Sequence, residues 1–217
     1  MIYRLPLFPL PNFVLFPRTH VPLHVFEPRY REMMDFAMAG ERRLGMAHLR
    51  EGYEKDYHGA PPIYRVLTAA RILTADQLPD GRWSILIEGI ERVAIRQEVQ
   101  TEPFRIAEVT PITEGFPPIE RDDVMALMRT IAALAEHVGA RFADGRRILT
   151  NLVNTHQHPA VVCDVVASTL VMDPYARQSL LEETILHRRM KLLLVQLQSV
   201  VHDLRQAGIE IDLPVVE

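Results

Sequence analysis

Apolar and polar positions follow two different rhythms along the 217 residues. Up to about residue 112 the apolar residues come in short runs or at every second position, the period of a strand. Beyond that point they recur every three or four residues, the period of a helix. Leu5 to Leu15 is apolar but broken by Pro6, Pro9 and Pro11. Proline cannot donate to a ladder, so this stretch predicts an edge-like or irregular strand. A helix is predicted from Pro28, a favoured first residue, to just before Gly40, a favoured terminator. Its Tyr30, Met33, Met34 and Ala37 share one face, while Arg31, Glu32 and Asp35 point elsewhere. Residues 43–50, 64–75, 82–88, 92–99 and 104–112 read as strands. Two of them flank Pro79-Asp80-Gly81, and Asp-Gly is a hairpin signal. Trp83, Ile85 and Ile87 fall on one side of the strand that follows. Short strands at this spacing predict a small barrel or sandwich.

The second region predicts a helical bundle. Val124, Leu127, Met128, Ile131, Leu134, Ala135 and Val138 form one stripe. Ile148, Leu149, Leu152 and Val153 form another, and Val161, Val162, Val165, Val166 and Leu170 a third. Asp173-Pro174 is an N-cap and first-turn pair. Leu186, Met190, Leu193, Leu197, Val200 and Leu204 step by four and three in a long last helix that Gly208 ends. This seam predicts intramolecular packing over a dimeric coiled coil, because it has fewer than ~4 heptads. The expected division is a β region over residues 1–112 and a helical region over 119–208.

Composition sharpens this division. Thirteen of the 16 prolines lie at or before Pro118, which favours loops and strands around the one predicted helix of the first region. The net charge is −4 and all of it falls after residue 112. A nucleic-acid binder shows a basic excess, so no nucleic-acid partner is expected. One cysteine, Cys163, excludes a disulfide framework and a Cys-based zinc site, and fits a reducing compartment. No apolar run reaches the ~18 residues of a membrane span, and no signal peptide is read at the N-terminus. A cytoplasmic location away from membranes is the expectation.

Catalytic chemistry is hard to assemble. Gly40-Glu41-Arg42-Arg43-Leu44-Gly45 is followed by Met46 and Ala47 and not by the Lys-Ser/Thr of a phosphate-binding loop. His20 and His24 are four apart but lie among prolines, which opposes a helical metal pair. His156-Gln157-His158 reads as the junction of two helices. The only lysines are Lys55, in a polar loop beside Glu54 and Asp56, and Lys191, beside Arg188 and Arg189. Neither is placed to activate a serine. Cys163 lies in a valine stripe and reads as a buried structural residue. No cofactor, metal or catalytic residue is expected.

Residues 5–30 carry a recognisable pattern. Leu5-Pro6-Leu7-Phe8-Pro9-Leu10, Val14-Leu15-Phe16-Pro17 and Pro22-Leu23-His24-Val25-Phe26-Glu27-Pro28-Arg29-Tyr30 resemble the N-terminal substrate-binding domain of Lon proteases. The resemblance continues in Arg43-Leu44-Gly45-Met46-Ala47 and in Gly81 to Arg92, with Gly89 and Arg92 closing a Gly-x-x-Arg pattern. It is strong to about residue 112 and is one of pattern only in the helical remainder. It implies an α+β fold: a six-stranded PUA-like pseudo-barrel with one packed helix, followed by a helical bundle ending in a long helix. It also implies recognition of unfolded or degron-bearing polypeptides, with a protease as a candidate partner. The ATPase and peptidase motifs of a full Lon protease are missing, so a free-standing, non-enzymatic binding protein is expected. Two other readings stay open: a small hydrolase using carboxylates or histidines, and an RNA-binding PUA-like protein. The oligomeric state, monomer or dimer, is also open.

The residues divide accordingly. Phe26, Glu27, Pro28, Arg29, Tyr30, Gly45, Gly89 and Arg92 are expected to be structural. In that expectation Phe26 staples the approach to the helix, and Glu27 accepts charge-assisted bonds, with Arg92 as the first candidate partner. Phe36 and Met38 lie on the helix flanks and are candidate peptide-binding residues. Tyr53 and Tyr57 lie in a polar loop and suit either binding or packing across the barrel end. Met33 and Met34 are expected to fill the core.

Overall fold

The computed structural model describes residues 1–115, 121–140 and 158–209. The stripe of Ile148, Leu149, Leu152 and Val153, the pair His156-Gln157 and the expected domain start at residue 119 lie outside them. The chain divides into two compact units, Met1–Thr113 and Glu114–Glu217.

The first unit holds β1 (Tyr3–Leu10), β2 (His20–Val25), α1 (Pro28–Ala39), β3 (Arg43–His48), a 3-10 turn (Tyr53–Asp56), β4 (Val66–Gln77), β5 (Trp83–Gln100) and β6 (Ile106–Pro111). The strands run in the order β2-β5-β4-β3-β1-β6, and β5 also pairs with β6. That extra pairing closes a ring of five strands and leaves β2 attached to β5. The β1–β3 pair is parallel and the others are antiparallel.

β1 corrects the first expectation. It is paired on both sides and buried from Leu5 to Pro9, not an edge. Register explains how it tolerates two prolines. The Leu7 N–H donates to Arg105 O on the β6 side, and Leu10 O accepts from Leu49 N–H on the β3 side. Alternation therefore aims position 9 towards β6 and position 6 towards β3. The β6 pairing ends at Pro6, however, and the β3 pairing begins at Leu7. Each proline sits just off the end of the ladder in which its N–H would be missed.

β5 is one strand of 18 residues where two were expected, at 82–88 and 92–99. Its first half pairs with β2, its second half with β6, and β4 runs along both. Gly89 sits between the halves. A Cβ there would lie 2.2 Å from Phe16 O and 2.9 Å from Phe16 C. The absent side chain admits the Phe16-Pro17 backbone, fixed by bonds from Arg18 N–H to Gly89 O and from Gly89 N–H to Thr19 O. Gly45 serves a similar close approach, since a Cβ there would meet Leu7 Cδ2 at 2.6 Å.

The ring separates two cores. Tyr30, Met33, Met34 and Ala37 of α1 pack on one face with Phe8, Leu44, Ile72, Ile85 and Ile87. Leu5, Leu7, Ala47, Leu67, Val93 and Val109 fill the other. The expected α1 face and its Pro28 start are both observed.

In the second unit α2 (Arg121–Gly139), α3 (Pro159–Leu170) and α5 (Leu186–Gln206) pack on one another, and α4 (Pro174–Glu182) packs on α5. The Asp173 carboxylate caps α4 by accepting from Tyr175 and Ala176 N–H. The α3 stripe is rotated from expectation. Val162, Cys163, Val166, Ala167 and Leu170 are buried, while Val161 and Val165 are half-buried. The α5 seam runs through Leu186, Met190, Leu193 and Leu197 to Val201, not Val200, because 3.6 residues per turn drift from a 3.5 repeat. That face also carries Arg189, with no side-chain exposure. Its guanidinium donates to Glu114 Oε1 at 2.7 Å and Glu183 O at 3.0 Å, and lies 3.3 Å from Asp164 Oδ1.

Candidate functional site

β2 ends on Val25, buried under the α1 core. Alternation then turns the next side chain outward, and Phe26 is 64% exposed. Phe26 therefore does not act as the expected staple. Pro28 starts the helix one residue after Glu27, whose side chain caps nothing. The Glu27 carboxylate accepts from Arg29 Nε at 3.1 Å and from Tyr57 Oη at 2.8 Å. Its partners are thus the next basic residue and a tyrosine 30 positions away, not Arg92. Arg92 is itself buried in β5, where its carbonyl accepts from Ile112 N–H.

Tyr57 belongs to the segment between β3 and β4. Tyr53 and Tyr57 are both half-buried and pack against the barrel core. The Arg29 guanidinium lies 4.5 Å from the Tyr30 ring centroid and 5.2 Å from that of Tyr57, a cation–π sandwich. Burial pushes the Tyr57 hydroxyl above its ordinary pKa, and the Glu27 carboxylate adds to the shift by accepting its proton and by its charge. Burial alone is the leading cause that takes Tyr30 to about 12.

Two hollows meet here. Phe26, Glu27, Pro28, Arg29, Tyr57 and His58 line an open one. Arg29 and His58 also line a second, with Tyr30, Pro61, Phe104 and Arg105. Phe36, 51% exposed on the outer face of α1, packs its ring 5.5 Å from Phe104. Met38 is half-buried against the α1 core and contributes less surface. Arg105 is held by Glu98 through two bonds of 2.7 Å and donates to Pro61 O. The hollows are lined by aromatic rings, by Arg29 paired with Glu27, by Arg105 paired with the neighbouring Glu98, and by the exposed carboxylate of Glu102. Such a surface can bind apolar side chains.

Sequence reasoning missed Phe26 as an exposed ring, although its place directly after the inward Val25 carried the signal. It missed Arg189 too, although that residue lies three after Leu186 and four before Leu193, on the apolar seam. Cys163 is buried as expected. Among the described residues no helix is long and apolar enough to cross a membrane, and no three His, Cys, Asp or Glu side chains form a metal-binding group.

The family model of the ATP-dependent protease La (Lon) substrate-binding domain matches residues 4–199. Lon protease 1 of Herpetosiphon aurantiacus is 29% identical over 181 residues, covering 83% of this chain and 22% of the relative. Lon protease 2 of the same organism is 32% identical over 201 residues, covering 89% and 23%. The chain thus spans somewhat over a fifth of the length of these relatives. The N-terminal domain of Mycobacterium avium complex Lon protease superposes with a TM-score of 0.71 at 18% identity, covering 90% of this chain and 98% of that one. A Lon N-terminal domain protein from Xanthomonas campestris gives 0.58 at 23% identity, covering 89% and 98%. These likenesses share the α+β architecture of a ring-closed six-stranded sheet followed by helices. The match over most of its length makes this chain a member of the Lon substrate-binding domain family.

Proposed function

We propose that this chain is a non-catalytic polypeptide-binding module that holds exposed apolar segments of unfolded or degron-bearing proteins on the two joined hollows. One observation carries the reading: an outward phenylalanine, Phe26, beside Tyr57, with Phe104 lining the adjoining hollow and the exposed Phe36 packed against it. Aromatic rings on a fixed scaffold give large contact area at low ordering cost and tolerate varied partners. Pairing of Glu27 with Arg29 and of Glu98 with Arg105 supports binding over hydrolysis at those two carboxylates, because a catalytic carboxylate needs a perturbed and accessible proton. Family membership supports the choice of polypeptide as ligand. A protease is the proposed downstream partner, and a cytoplasmic setting belongs to the same proposal.

The test titrates a permanently unfolded, fluorescently labelled protein against the wild type, Phe26→Ala and Phe36→Ala. Each substitution is expected to weaken binding by about 1–2 kcal/mol while leaving the melting temperature unchanged. Absence of wild-type binding at high micromolar concentration refutes the reading. Turnover of peptide or ATP by the purified protein refutes its non-catalytic part.

A further inference from the structure

The segment joining β3 to β4 is built differently from the rest of the first unit. Its neck is closed by the Leu49–Ile63 bridge and by bonds from Arg50 N–H to Pro62 O and from Tyr64 N–H to His48 O. Residues 51–60 then stand out as a compact loop whose ends nearly meet. Eight of these ten residues are exposed; only Tyr53 and Tyr57 are half-buried. Their rings lie over the barrel core that contains Leu5, Leu7, Leu49, Ile63 and Leu67.

Few bonds hold the loop down. Inside it, Lys55 N–H donates to Gly52 O and Gly59 N–H to Asp56 O. Beyond the neck, among the described residues, Arg105 ties down Pro61 O at the loop's end, and residues 51–60 themselves bond to the body through Tyr57 Oη–H to Glu27 Oε1 at 2.8 Å and Arg29 to Gly59 O at 3.4 Å. Gly52 has φ +82, and an added Cβ there would touch nothing within 4 Å, so the backbone has room to turn. A segment with few buried contacts and exposed backbone belongs to the low-stability end of a fold and opens locally.

We infer that residues 51–60 are a lid, latched by the Tyr57–Glu27 bond, whose closed form is the one that binds polypeptide. The inference deepens the proposed function and rests on it for the ligand. Tyr57 forms a wall of the Phe26 hollow only while the latch is closed. A chain lying on Phe26 and Tyr57 contacts the closed lid and not the open one. Ligand and latch therefore favour the same state, and each strengthens the other.

The lysines make this measurable. Lys55 lies at the exposed crown of the lid, and the only other lysine, Lys191, lies within α5. Cleavage by a lysine-specific protease at Lys55 reads lid opening, and cleavage at Lys191 reads unfolding of a helix. Tyr57→Phe keeps the ring and removes the latch. It is expected to speed cleavage at Lys55 roughly fivefold and leave Lys191 unchanged. Glu27→Gln, which keeps an acceptor oxygen, should stay nearer the wild type than Glu27→Ala. Saturating unfolded protein that itself lacks lysine should slow wild-type cleavage at Lys55 severalfold. Equal Lys55 rates in wild type and Tyr57→Phe overturn the latch. Measured binding without protection of Lys55 overturns the coupling. If no polypeptide binds at all, the functional reading fails, and the rates without ligand still decide the latch by themselves.

Discussion

Replacing Arg189 by methionine tests whether a buried charge organises the helical unit. Methionine nearly matches the arginine stem in length and keeps its helix propensity, so the change is confined to the guanidinium. That group is fully buried, donates to Glu114 Oε1 at 2.7 Å and Glu183 O at 3.0 Å, and forms an ion pair with Asp164 Oδ1 at 3.3 Å. Asp164 matters most, because its side chain is 4% exposed against 24% for Glu114. Glu114 can turn to water when its partner goes; Asp164 cannot. Breaking a buried pair by removing one partner costs about 3–5 kcal/mol, chiefly as desolvation of the charge left behind. That is at least about a fifth of the ~5–15 kcal/mol that stabilises a typical domain. The expectation for Arg189→Met is a loss near 4 kcal/mol in urea unfolding followed by helical circular dichroism. Adding Asp164→Asn removes that buried carboxylate's charge and should return about 1–3 kcal/mol, a coupling that a double-mutant cycle reads directly. A single-variant loss below about 1 kcal/mol, or a double variant no better than Arg189→Met, refutes the reasoning.

The remaining predictions concern the first unit. Gly89→Ala should destabilise by about 3 kcal/mol or more, seen as an earlier loss of Trp83 fluorescence structure in denaturant, because the added methyl strikes the Phe16 backbone at 2.2 Å. Gly45→Ala should cost less, since its nearest obstacle is a movable leucine methyl. Met33→Ala, in the α1 core with no exposure, should cost roughly 2–5 kcal/mol of stability, whereas Phe36→Ala should leave the melt unchanged. Tyr30 has its pKa raised to about 12 by burial, so the stability it contributes is fully present below pH 10 and lost as pH rises through 12. Alkaline unfolding should therefore be shallower in Tyr30→Phe, and an unchanged profile removes Tyr30 as its cause.

The elements that local pattern decides were legible in the sequence. Pro28 and Gly40 bound α1, and the spacing of Tyr30, Met33, Met34 and Ala37 names its buried face, because a helix joins neighbours in sequence. Asp173 caps α4 for the same local reason. The motif around Phe26-Glu27-Pro28-Arg29-Tyr30 pointed to the family, which the match over residues 4–199 establishes. Pairing between distant segments was not legible. Pro6 and Pro9 suggested an edge strand, yet β1 lies inside the ring because the offset of β3 against β6 places each proline beyond a ladder's end. Two predicted strands became one β5 because Gly89 meets the Phe16 backbone, a contact between residues more than 70 positions apart. Glu27 could have been paired with any of 22 arginines, and its choice of Arg29 and Tyr57 exists only once the β3–β4 loop folds over the barrel end. Periodicity fixes which face of an element is apolar, because it depends on bonded geometry. Strand order, hydrogen-bond partners and the joined hollows depend on which surfaces meet, and the tertiary structure alone decides that.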